Sequence, residues 1–456
     1  MKHMSIKEIV AACGGTYYGD SSLLDKNVSG VAIDSRKIEK DWLFIPIKGA
    51  RVDGHCFIPQ VMETGALCTL SEQDLGNVSY PYILVASCEV ALKAIAEHYR
   101  TALGIKVVGI TGSVGKTSTK EMIASVLSQK YNVLKTAGNF NNEIGVPLTI
   151  FNIRDEHEVA ILEMGINHFG EMHRLAKMAR PDVCVITNIG LCHLEHLIDR
   201  DGVLRAKSEI FDFIKDDAAI VLNGDDDKLA TVKEVGNKKA SFFGLDPSLD
   251  AYADNIQSKS LRGTSCSLHV GSLDMDVLIP IPGDHMVYNA LAGALVGTKL
   301  GLTADEIKAG IEALTPVSGR NNLIATDNLL IIDDCYNANP ISTKASLDVL
   351  STADNRKVAI LGDMFELGEN EKDLHYGVGA YAAEKELDIL VAIGELSKNT
   401  MNGALEKNSD MKIYHFHTKA DFFAEMDNIL QKDDAVLVKA SHGMEFPEIV
   451  EKLRTW

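Results

Sequence analysis

A lysine and a threonine at the end of a short glycine loop are the residues most plainly suited to chemistry in this chain. In VVGITGSVGKTSTK, Val107 to Lys120, the loop Thr111-Gly112-Ser113-Val114-Gly115 is followed directly by Lys116 and Thr117. The backbone N–H groups of such a loop and the positive end of the helix after it face one point, which suits a polyphosphate. Lys116 would reach the outer phosphates, and the Thr117 hydroxyl would hold Mg²⁺. The general pattern asks for glycine five residues before Gly115, where this chain has Ile110, so only Gly-x-x-Gly-Lys-Thr remains. The flanks support it. Ile105 to Ile110 is a β-branched run suited to a buried strand, and Met122, Ile123, Val126 and Leu127 form a helical stripe. Strand, loop and helix in that order imply a nucleoside triphosphate.

Other polar residues fall where a second role is possible. Glu163 ends the run VAILE, and a carboxylate at a strand end beside a triphosphate loop would ligate Mg²⁺ or simply cap the strand. His193 lies just past another strand end, near Asn188, and on its own reads more readily as a structural histidine than as a ligand. Lys207, in RAKSEIF, reads on its own as a helix-surface lysine. Toward the N-terminus, Asp34, Ser35, Arg36, Arg51, Asp53 and His55 crowd one predicted strand. Arginine with small hydroxyl and glycine neighbours suits a diphosphate, and a solvated loop is the plainer alternative.

The elements that must position these groups follow from periodicity. Residues 1 to about 103 hold short strand-like runs, Val28 to Ile33 and Trp42 to Ile47, and a helix over Glu89 to Leu103, a small α/β unit. From about 104 to 316, strands Val159 to Glu163, Val183 to Thr187 and Ala218 to Leu222 alternate with helices, which implies a largely parallel sheet whose ligands gather beyond the strands' carboxyl ends. Residues 240 to 282 read as a strand excursion before a helix near His285, and Thr303 with Glu306 forms a capping box for a helix stopped by Pro316. After Pro316 five apolar runs, beginning at Leu329, Val358, Ile389, Ile413 and Ala435, predict a second doubly wound unit. Short hinges are expected near 103 and 316.

Composition bounds the partners. At 456 residues, with 46% hydrophobic residues, the chain needs two or three cores. A net charge of −19 argues against non-specific nucleic-acid binding. Eight scattered cysteines without a C-x-x-C pair imply reduced thiols. No signal-peptide core or membrane-spanning run is present, so a cytoplasmic protein without membrane insertion is expected.

Together these residues resemble the Mur ligase family, ATP-dependent amide-bond-forming enzymes of peptidoglycan precursor synthesis. The resemblance spans nearly the whole chain: TGSVGKTS, then GNFNNEIGVP (Gly138 to Pro147), EMGINHFGE (Glu163 to Glu171), NIGLCHLE (Asn188 to Glu195), AKSEIF (Ala206 to Phe211) and GDHMVYNALA (Gly283 to Ala292). Within the family, DDCYNANP (Asp333 to Pro340) and LGDMFELGE (Leu361 to Glu369), with His375 downstream, look like the member that adds D-alanyl-D-alanine to UDP-N-acetylmuramoyl-tripeptide. The resemblance implies a three-domain α/β protein: a small UDP-substrate-binding domain over 1–103, a central P-loop domain with a parallel sheet over 104–316, and a Rossmann-like ligase domain over 317–456.

It also implies roles. ATP would contact Thr111, Gly112, Ser113, Val114, Gly115, Lys116, Thr117 and Ser118, with Asn289 near adenine and Arg320 and Asp334 reaching the nucleotide from the hinge and the last domain. Lys116, Glu163, His193 and Lys207 would be catalytic. Two Mg²⁺ ions are implied, one on Thr117 and one on Glu163 and His193, with Lys207 converted by CO₂ to a carbamate that faces the metal. Ser35, Arg36 and Arg51 would face the UDP moiety. Asn139, Asn141, Asn337 and Asn339 would contact substrate, the last two at the dipeptide or as plain caps. A monomer is expected. Two departures stand out: Ala440 and His442 occur where the family reads Gly and Arg, and Cys192 replaces a small alanine. The alternatives are a sibling ligase adding a single amino acid, or a nucleotide-binding regulatory protein that has lost catalysis.

Overall fold

The computed structural model describes residues 4–49, 52–408 and 411–456, so Arg51 lies outside the described residues. Three β-sheets are built in sequence order. In the first, strands Val31–Ala32, Leu43–Phe44, Cys68–Ser71 and Tyr82–Leu84 run parallel, and Thr16–Tyr18 closes the edge antiparallel. These strands are shorter than the apolar runs around them imply, because the flanking residues turn out of the sheet toward loops.

The central sheet places Lys106–Thr111 between Val159–Glu163 on one side and Val183–Ile186 on the other, all parallel. Val133–Lys135 flanks the first neighbour, and Ala219–Asn223 and Lys238–Gly244 extend the second. The chain leaves Lys106–Thr111 toward one side and returns on the other, so this strand sits at a topological switch point, where ligands collect. Beyond Lys238–Gly244 the excursion is a meander of Ala251–Ser258, Thr264–Val270 and Leu273–Ile279. The helix His285–Lys299 follows it, buried along most of its length.

The third sheet orders its parallel strands Leu329–Asp333, Asp434–Lys439, Lys357–Gly362, Ile389–Ile393 and Lys412–Phe416. An antiparallel edge strand, Asn322–Ala325, leads into it. Four crossover helices, Pro340–Ser351, Glu371–Glu384, Ser397–Lys407 and Lys419–Ile429, cover it together with Pro447–Arg454.

The two joints differ. The helix Cys88–Ala102 buries Leu92, Ile95, Ala96 and Tyr99 in one hydrophobic core that continues into the central sheet's helices. The Tyr99 hydroxyl donates to the Ile153 carbonyl (2.7 Å), and the buried Arg100 meets Asp182 at 3.2 Å and the Ala179 carbonyl at 2.9 Å. A hinge near 103 is therefore a packed seam. The joint near 316 is more polar. Across it Asn321 bonds His285 (3.3 Å), Ser260 donates to the Thr352 carbonyl (2.5 Å), and Leu261 enters the third unit's core. Among the described residues no helix is long and apolar enough to cross a membrane.

Candidate functional site

The glycine loop joins Lys106–Thr111 to the helix Lys116–Leu127. Gly115 takes φ +82°, and Gly112 lies so close to Thr187 that a Cβ would come within 1.9 Å of its hydroxyl. Both conformations favour glycine. Asn188 clamps the loop: its side chain accepts from the Val114 N–H and donates to the Val114 carbonyl, each at 2.9 Å, while its own carbonyl accepts from Ser113. The Ser113 hydroxyl accepts from Gly190 N–H and lies 3.1 Å from the Cys192 sulfur. Lys116 donates to the Gly112 carbonyl at 2.8 Å. Burial holds its ammonium below the ordinary lysine range, with Glu163 opposing that trend.

Glu163 is 2% exposed at the end of its strand. One oxygen accepts from Thr117 Oγ1 (3.3 Å) and Asn141 Nδ2 (2.9 Å). The other accepts no hydrogen bond and faces the buried ammonium of Lys120 at 3.6 Å. The Thr111 hydroxyl nearby is likewise buried and unbonded. A buried carboxylate oxygen without a donor beside two hydroxyls forms a set of hard oxygen donors, and these residues fit Mg²⁺. Asn141 thus sits against Glu163, while Asn139 is exposed and offers its carbonyl to the Asn141 N–H at 2.7 Å.

His193 adopts φ +51° and points its Nδ1 toward Glu366 at 3.5 Å. Burial, then the charges of Lys207 and Lys116, push its imidazolium down to about 4, so the ring is neutral near pH 7. Lys207 overturns the surface reading: it is 1% exposed, on a helix, Arg200–Ser208, that buries Val203, Ala206 and Lys207 on one stripe. It makes no hydrogen bond or ion pair among the described residues. Burial, reinforced by Lys116, lowers it to about 7.

A cavity of about 220 Å³ opens beside the loop, lined by Gly115, Thr117, Asn289, Arg320, Asp334 and Lys439 among others. Asn289 faces it while accepting from Thr119 Oγ1 at 2.8 Å. Arg320 lies over the Tyr336 ring at 4.1 Å and donates to Thr117 Oγ1 at 3.4 Å, so it reaches the phosphate loop directly. Asp334 is held by Lys439 and Ser346, both at 2.5 Å, and by Asn321 N–H. These contacts occupy its carboxylate within the third unit, at the cavity wall.

The remaining candidates lie apart from the loop. Ser35 opens a short 3₁₀ turn, Ser35–Lys37, and Arg36 is exposed and paired with Asp34 at 2.7 Å. Asn339 caps the helix Pro340–Ser351 by accepting from Ser342 N–H (2.9 Å), and Asn337 accepts from His442 N–H (3.4 Å). The sequence reading passed over Lys120, Tyr336, Lys439 and Glu366. Lys120 alone left a signal, four residues beyond Lys116 on the same helical face.

A phosphate loop at a sheet switch point, with a second doubly wound unit lending residues to a cavity beside it, defines a multidomain P-loop nucleotide-binding protein. The Mur ligase middle domain matches residues 110–297, the Mur ligase glutamate ligase domain 319–442, and the catalytic domain of the Mur ligase family 27–115. The chain belongs to the Mur ligase family. It is 37% identical over 431 residues to the UDP-N-acetylmuramoyl-tripeptide–D-alanyl-D-alanine ligase of Bacillus subtilis, covering 93% of each chain. To the ligase of that name from Escherichia coli it is 34% identical, with 96% of each covered. Crystal structures of MurF from Acinetobacter baumannii (TM-score 0.90, 31% identity, 100% of each chain) and of MurF from Thermotoga maritima in complex with ADP (TM-score 0.83, 29% identity, 93% and 97%) share its fold.

Proposed function

We propose that the protein is an ATP-dependent ligase that joins D-alanyl-D-alanine to the terminal carboxylate of UDP-N-acetylmuramoyl-tripeptide, releasing ADP and phosphate. The observation that carries this reading is the approach of the third unit to the phosphate loop: Glu366 of LGDMFELGE lies 3.5 Å from His193, and Arg320 donates to Thr117 at 3.4 Å. We divide the chain by role at 1–103, 104–316 and 317–456, for UDP-substrate, nucleotide and dipeptide respectively. The protein works in the cytoplasm, where ATP and UDP-linked precursors occur.

In this reading the tripeptide carboxylate attacks the γ-phosphorus, ADP leaves, and the dipeptide amine displaces phosphate from the resulting acyl phosphate. A carboxylate approaching a triphosphate brings like charges together, so the loop must supply positive potential. The loop N–H groups and Lys116 do so, after Lys116 exchanges the Gly112 carbonyl for phosphate oxygens. Arg320 adds a fixed fork to the phosphates from the hinge. Ser113, Val114 and Ser118 shape the loop, and Asn289 borders the adenine side of the cavity. Ser35 and Arg36, with Arg51, meet the UDP moiety once Arg36 leaves Asp34. Asn139, Asn141, Asn337 and Asn339 lie on the substrate side of this plan. Mg²⁺ bound at Thr117, Glu163 and His193 would neutralise the charge that builds between γ-phosphate and carboxylate. Lys207, buried, without an acidic partner and lowered to about 7 so that much of its amine is unprotonated near neutral pH, is suited to add CO₂ through its free amine, with loss of one proton to water. The carbamate would replace a cation with an anion beside the metal site. Closure of the third unit over the cavity would keep water from the acyl phosphate.

The test is phosphate release from ATP with UDP-muramoyl tripeptides ending in lysine or diaminopimelate, with and without D-Ala-D-Ala or single amino acids. Release that needs tripeptide and dipeptide together is expected and identifies the acceptor. Release with a single amino acid would reassign the chain to a sibling ligase, and silence from folded, ATP-binding protein would favour a regulatory role.

A further inference from the structure

We propose that Glu366 is the anionic subsite for the α-ammonium group of the incoming dipeptide. The inference rests on the ligase reading above and deepens it. Three neighbouring parallel strands of the third sheet, Leu329–Asp333, Asp434–Lys439 and Lys357–Gly362, release their following loops at one edge. These loops hold one another rigidly. The Ser441 hydroxyl accepts from Phe365 N–H (2.8 Å), Ser441 N–H donates to the Asp363 carbonyl (3.0 Å), and Asn337 accepts from His442 N–H. The fully buried His375 fixes the loop from beneath: its Nε2 accepts from Met364 N–H at 2.9 Å and its Nδ1–H donates to the Glu371 carbonyl at 2.7 Å. Asp363 is in turn bonded by the backbone and hydroxyl of Ser397.

This frame holds Glu366 at φ +62°, a conformation that L residues adopt at a cost of about 1–3 kcal/mol. Yet its side chain is 73% exposed and accepts no hydrogen bond among the described residues. Its one close polar neighbour is His193, 3.5 Å away across the cleft, on the loop that follows the central sheet. The strain is therefore not repaid by contacts within the third unit. What it achieves is an exposed carboxylate held 3.5 Å from His193 at the edge of the cleft. Beside it the Phe365 ring is 41% exposed and packs near Gly443, an apolar surface of a size suited to alanyl methyl groups. The ligand chemistry is thus a primary ammonium next to a small apolar side chain; the carboxylate would hold that group and accept the proton it must lose before its nitrogen attacks the acyl carbon.

The test is Glu366→Gln and Glu366→Asp in the full-length enzyme, comparing D-Ala-D-Ala with hydroxylamine, a small nucleophile that is uncharged at neutral pH and traps the acyl phosphate as a hydroxamate. The expected result for Glu366→Gln is a dipeptide KM raised at least tenfold, with the ratio of dipeptide to hydroxylamine transfer falling by the same factor, and partial recovery in Glu366→Asp. An unchanged ratio would overturn the assignment. So would a fall in Mg²⁺ affinity by calorimetry that accounts for the whole loss, since Glu366 would then belong to the metal site. Absence of hydroxamate from the wild-type enzyme would instead remove the ligase reading, and this inference with it.

Discussion

Lys207 owes its properties to position alone. Its amine is buried, so its value of about 7 lies well below the roughly 10.4 of an exposed lysine. Between those two values the unfolded chain holds the extra proton and the folded chain does not. Stability therefore rises with pH across pH 7 to 10, the reverse of what a paired surface lysine would give. We expect denaturant unfolding in CO₂-free buffer to show this slope, with a total on the order of 4 kcal/mol, and Lys207→Met to lose it. Lys207→Ala should also be inactive, with turnover partly restored by short carboxylic acids. A flat stability profile in the wild type would sink the first expectation, and failed rescue with folding intact the second. The burial was legible in principle, because Val203, Ala206 and Lys207 share a stripe at helical spacing. It was missed because lysine was read by type before position. His193 had no such signal: its placement follows from a left-handed φ, and the carboxylate it faces, Glu366, lies 173 residues away in sequence.

At the level of elements, Asn188 does for the phosphate loop what a strand partner does for a strand. Its amide satisfies both backbone groups of Val114, and the loop depends on it because Gly112 and Gly115 supply freedom rather than stiffness. Removing it as Asn188→Ala leaves the Val114 N–H unpaired, at about 1–3 kcal/mol, while the Val114 carbonyl keeps the Thr187 hydroxyl at 2.6 Å. The expected outcome is a KM for ATP raised roughly tenfold to a hundredfold, with melting lowered by only a few degrees. A large fall in melting with unchanged KM would mean that the clamp serves folding instead. Elements themselves were read well where apolar runs are short and bounded. Val159–Glu163 matches the sequence reading residue for residue, the strand Ile389–Ile393 starts where its apolar run was read to start, and the Thr303–Glu306 capping box forms with both bonds in place. The edges were not read. Val133–Lys135 and Asn322–Ala325 are half-exposed strands with little hydrophobic pattern, and only their neighbours hold them in the sheet.

In the whole molecule the two joints make different mechanical units. The first unit shares a core and the Arg100–Asp182 pair with the central one, whereas the third docks through Leu261 and a few polar contacts. Calorimetry should therefore show two transitions, the lower belonging to the third unit. Saturating nucleotide should raise that transition selectively, by about 2.7 kcal/mol at a hundredfold excess over Kd. Leu261→Asp should widen the scattering envelope while leaving the upper transition in place. A single transition, unaffected by Leu261→Asp, would refute this division. The cavity of about 220 Å³ draws its walls from both sides of the weaker joint. Any compound that fills it acts as glue between parts of one chain. Its potency then includes the work of holding the third unit down, so resistance could arise at Leu261 or Ser260 without altering an atom that the compound touches.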